Sequence, residues 1–153
     1  MDLRLTSKPQ IDYRNIDLFV AYLANLINVI MSILFTARIF GLPQVEYALG
    51  VVVMVMGFAL GYVALLNRKN GREEWEFFLL IPIFLFFIVE LFLDYLFPSD
   101  FRSTAIVGPY ILLYYIGLWG LVGYGFRFDK KWGFVTLATY FLNMTLSILV
   151  HYV

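Results

Sequence analysis

Long apolar runs separated by short polar connections organise this chain. Five of them, at about residues 16–37, 45–66, 75–97, 104–126 and 132–153, are long enough for a helix to cross a hydrocarbon core of about 30 Å, which takes about 20 residues. The runs are continuously apolar rather than alternating, so they predict helices and not barrel strands. Turn-forming residues mark the breaks: Gly41-Leu42-Pro43, Asn67 to Gly71, Pro98-Ser99-Asp100, and Phe128 to Lys131. The predicted fold is an all-α integral membrane protein, a five-transmembrane-helix bundle over residues 16–153. A polar arm, residues 1–15, precedes it and is expected to lie on the cytoplasmic leaflet. The first run is too long for the apolar region of a cleaved signal peptide and no small-residue cleavage site follows, so it reads as an anchor.

Orientation follows from lysine and arginine, which in short connections mark the cytoplasmic side. Nine of the eleven fall on one side: Arg4, Lys8, Arg14, Arg68, Lys69, Arg72, Arg127, Lys130 and Lys131. Only Arg38 and Arg102 fall on the other. A cytoplasmic N-terminus, an external C-terminus and residence in the cell membrane are the corresponding expectations.

Composition narrows the chemistry. Hydrophobic residues make up 62% of the chain and charged residues 14%, far from a soluble domain with about 25% charged. The absence of cysteine removes disulfides, thiolate nucleophiles and Cys-ligated metal centres. A single histidine, His151, cannot supply a multi-histidine metal site within one chain. No glycine-rich phosphate loop, metal-binding helix pair or Ser/His/Asp set is present, and the basic residues lack the signatures of nucleic-acid binders. We expect no cofactor, no metal and no nucleic-acid partner; the surrounding lipid is the expected contact.

Two carboxylates inside the third run, Glu90 and Asp94, stand out, because an ionisable group at membrane depth is costly and by default marks function. Glu90 falls seven residues before the outer end of its run, about 10 Å deep at 1.5 Å per residue. Depth counting brings Ser32, Thr36, Tyr110 and Ser147 to its layer, and Asn25, Asn28, Tyr114 and Asn143 nearer the midplane. Asn25, Asn28, Ser32 and Thr36 share one helical face, as do Thr136, Tyr140, Asn143, Ser147 and His151. Such stripes either line an interior or join helices by hydrogen bonds. Arg38 and Arg102, at the outer end, are placed to meet Asp94 or Glu90, or else to snorkel to the interface.

Gly57 and Gly61 form a GxxxG element that lets helices approach closely, either within the chain or across a homodimer. Gly117, Gly120 and Gly123 form a related face in the fourth run. Trp119, Tyr110, Tyr114 and Tyr115 are candidate walls for a hydrophobic ligand. The leading functional expectation is a small transporter or channel in which Glu90, with Asp94, binds a proton, a cation or a charged substrate. Asn28, Ser32, Tyr110, Tyr114, Asn143, Arg38 and Arg102 complete its candidate site. The alternatives are an accessory protein that holds a lipid or other hydrophobic ligand, and a lipid-modifying enzyme with the carboxylates in acid/base or metal-binding roles.

Overall fold

Helices account for the whole described architecture of the computed structural model, which describes residues 12–97 and 104–150. They are α1 (Arg14–Ile39), α2 (Pro43–Lys69), α3 (Glu74–Glu90), α4 (Val107–Phe128) and α5 (Lys130–Leu149). α3 continues without a break into a π-helical segment, Leu91–Leu96. All five are long and apolar enough to cross a membrane. The expected starts agree to within two residues except for α4, which begins three residues later than its apolar run. Thr104–Ile106 is a turn, and Pro109 therefore sits in the first turn of α4, where a missing N–H has no partner to lose.

Local chemistry fixes the joints. Pro43 opens α2, and the Asp129 side chain caps α5 by accepting from the Lys131 amide at 2.8 Å. Gly41 and Gly71 end α1 and α2 at positive φ, 66° and 67°, where a side chain would be strained. The second turn sends the Arg72 amide back to the Asn67 carbonyl at 3.1 Å.

The helices form a closed ring in chain order. Each packs on the next, α5 returns to α1, and α4 also touches α1 across the centre. Burial of Val20, Ile27, Leu60, Leu80, Ile83, Leu118 and Leu121 to 1% exposure or less fills the middle of the ring. Small residues set the closest approach, between α3 and α4. A Cβ on Gly117 would lie 2.8 Å from the Ile83 Cα, and one on Gly120 would collide with the Leu79 carbonyl oxygen. Gly57 and Gly61 are covered within the chain, by the rings of Phe87 and Phe84 on α3. Thus the GxxxG face meets the internal one of its two expected partners.

Candidate functional site

A cleft of about 860 Å³ enters the bundle at the end formed by the α1–α2 turn and the π-helical segment. Arg38, Pro43, Glu46 and Tyr47 lie toward the helix ends, while Phe35, Phe86, Val53 and Tyr114 lie deeper. All five helices contribute to its wall, α5 through Ser147. Beneath it the interior is packed solid by the core residues named above.

Glu90 and Asp94 both line this cleft. The Tyr110 hydroxyl of α4 donates a short hydrogen bond to Glu90 Oε2, joining two residues expected at one depth. Just beyond Glu90 the helix widens, and the Phe97 amide donates to the Phe92 carbonyl at 2.9 Å, a five-residue step. Such π turns are frequent at functional sites, because the wider step redirects the side chains that follow. Here Tyr95 reaches α2: its ring packs on Tyr47 at 5.3 Å, and its hydroxyl occupies the space where a Cβ on Gly50 would stand.

Arg38 does line the cleft, but its partner is Glu46 in the first turn of α2 and neither of the expected acids. Its Nε donates to Glu46 Oε1 at 2.8 Å. The short turn through Gly41 brings these two together, and an ion pair eight residues apart forms before a more distant one is needed. Arg102 lies outside the described residues, as does His151.

The two polar stripes close on each other. Asn25 Nδ2 donates to Thr136 Oγ1 at 3.0 Å, Thr139 Oγ1 donates to Asn25 Oδ1 at 3.0 Å, and Asn28 Nδ2 donates to Thr139 Oγ1 at 3.1 Å. Asn143 Nδ2 donates to Asn28 Oδ1 at 3.3 Å, and the Tyr114 hydroxyl donates to Asn143 Oδ1 at 2.9 Å. Ser32 donates to the Asn28 carbonyl at 2.8 Å within its own helix. Asn28, Ser32 and Asn143 are buried in this ladder and do not line the cleft, whereas Glu90, Asp94, Arg38, Tyr110 and Tyr114 do. Tyr114 joins the two regions, with its ring beside Phe86 in the cleft wall and its hydroxyl in the ladder. Trp119, an interior candidate from sequence, is 52% exposed and only edges onto Tyr140.

A second polar cluster, at the opposite end of the bundle, was not singled out from sequence. Arg72 grips Asp17 with both arms of its guanidinium, at 2.7 and 3.1 Å, and the Tyr124 hydroxyl donates to Asp17 Oδ1 at 2.6 Å. Asn67 accepts from Arg72 at 3.3 Å and donates to the Tyr124 hydroxyl at 3.4 Å. The guanidinium also lies over the Tyr13 ring, 4.6 Å from its centroid. Burial alone would lower the Arg72 pKa; the Asp17 hydrogen bond and the neighbouring negative groups outweigh it and hold the guanidinium above its ordinary value. Glu76 lies 3.9 Å from Arg72 and 3.8 Å from Arg127, which also pairs with Glu73. The signal available in sequence was Asp17 itself, an acid one turn inside an apolar run.

The cluster ties α1, the end of α2, the α2–α3 turn, α3 and α4 together where the cleft is absent. The bundle is thus hollow at one end and cross-linked by charge at the other. No protein-family model matches the chain, and neither does any curated protein or solved structure.

Proposed function

We propose that this chain is a small membrane carrier whose substrate enters the cleft from one end and meets Glu90. The observation that supports this is the position of a carboxylate, engaged by Tyr110, in the wall of a deep cleft whose opposite end is closed by the Asp17–Arg72 cluster. A site accessible from one end at a time is what a carrier requires, and a channel would need a continuous path. In this reading the Asp17–Arg72–Tyr124 cluster is the closed gate and Glu90 titrates or exchanges its partner as substrate binds. The π turn beside Glu90 is the flexible step that lets the outer part of α3 move. The basic excess at the gate end puts the gate and the N-terminus in the cytoplasm and the cleft outside, with the cell membrane as the host.

A second reading is favoured by the saturated ladder of α1 and α5, which resists sliding of these helices. It is a binding protein that holds a hydrophobic ligand in the same cleft without moving it across. Purified protein in vesicles loaded with a pH-sensitive dye separates the two. Under an imposed inward potential, wild type should acidify the lumen faster than Glu90→Gln, which keeps the shape and removes the titrating proton. Equal rates from equally stable proteins would make Glu90 a structural clamp and favour the binding reading.

A further inference from the structure

Resting on the reading that the Glu90 cleft takes up a small molecule, we infer that its ligand is an organic cation, a quaternary or protonated amine on an apolar body. The cleft's volume, about 860 Å³, lies within the range of small-molecule sites, about 300–1,000 Å³, and is far larger than a bare ion needs. Its walls are rich in rings, with Phe35, Phe86, Tyr47, Tyr95, Tyr110 and Tyr114 around one space. Aromatic faces carry negative quadrupole potential and attract an alkylated ammonium that sheds its water.

Charge points the same way. The described lining carries three carboxylates, Glu46, Glu90 and Asp94, against one guanidinium, Arg38, which Glu46 already holds. The connection following α3 adds Asp100 and Arg102 in sequence, one of each sign, and leaves that balance unchanged. Across the chain, this end has four acidic and two basic residues, and the gate end has seven acidic and nine basic. The bundle is therefore polarised, with its hollow end negative, and a cation is drawn toward the cleft while an anion is repelled. Glu90 can serve without losing Tyr110, because a carboxylate has about four acceptor positions and the hydroxyl uses one. A neutral lipid would cover these carboxylates with hydrocarbon and give nothing in return.

Two ions of matched shape and opposite charge, tetraphenylphosphonium and tetraphenylborate, test the inference by calorimetric titration of the purified protein in a neutral detergent. The phosphonium should bind at least about tenfold more tightly than the borate, and Glu90→Gln should weaken it by about tenfold. Asp94→Asn, nearer the mouth, should weaken it less and guards against loss of fold in the first variant, with thermal unfolding recorded for both. Preferred borate binding, phosphonium binding indifferent to both substitutions, or no binding of either ion would overturn the inference. Uptake of the poorly permeant benzyltriethylammonium into vesicles is a separate arm. Charge-selective binding without uptake would leave the cation inference standing and remove the carrier reading.

Discussion

Asp17 and Arg72 illustrate how a charge pair is hidden in a membrane sequence. Each is ordinary where it stands, an acid in the first turn of a helix and a basic residue in a short connection that orientation rules count as cytoplasmic. Only the fold shows that their side chains are 14% and 12% exposed and meet 55 positions apart. An exposed pair contributes about 0–1 kcal/mol and breaking a fully buried one costs about 3–5 kcal/mol, so Asp17→Ala should cost about 2–3 kcal/mol by stranding Arg72. Equilibrium unfolding in mixed detergent measures it, and Asp17→Asn, which retains acceptors for Arg72 and Tyr124, should cost less. Because the folded pKa of Arg72 is raised, its contribution is complete below the ordinary arginine value and is lost only above it. Raising the pH from about 7 to about 10 should therefore leave the Asp17→Ala difference unchanged. Glu90 was easier to read, since depth alone placed Tyr110 at its level and the two do join.

Among the elements, α1 and α5 carry the clearest signature of design by hydrogen bonding. The pairs Asn25–Thr136, Asn28–Thr139 and Asn28–Asn143 climb both helices in the same direction, so the two run parallel, as the first and last of five alternating spans must. Periodicity revealed both stripes, but whether a stripe faces a cavity or another stripe depends on the azimuth of two helices far apart in sequence. That information is not local. Each interhelical bond in lipid contributes about 0.6 kcal/mol and at most about 1.7 kcal/mol. A double-mutant cycle on Asn28→Ala and Asn143→Ala, read by unfolding, should show a coupling of about 0.5–1.5 kcal/mol. Additive losses would mean that the two amides do not act on each other. The π-helical segment was invisible to sequence reasoning for a related reason, since its apolar residues fit either helical step.

For the molecule as a whole, hydrophobic run length was sufficient to predict five helices, while the ring closure, the cleft and the charged cross-link at its far end depend on packing between runs. The central claim is a cleft around Glu90 that is reached from one end and sealed at the other. Because the native chain has no cysteine, a single introduced thiol reports accessibility without background. Asn70→Cys and Ser99→Cys fix the two sides and should label from opposite faces of the membrane with an impermeant maleimide. The decisive measurement is the labelling of Ile111→Cys in the cleft wall, with Leu118→Cys in the packed core as its control. Ile111→Cys should label from the Ser99 side alone, with Leu118→Cys silent, whereas labelling from the Asn70 side or from neither side would contradict a one-ended cleft.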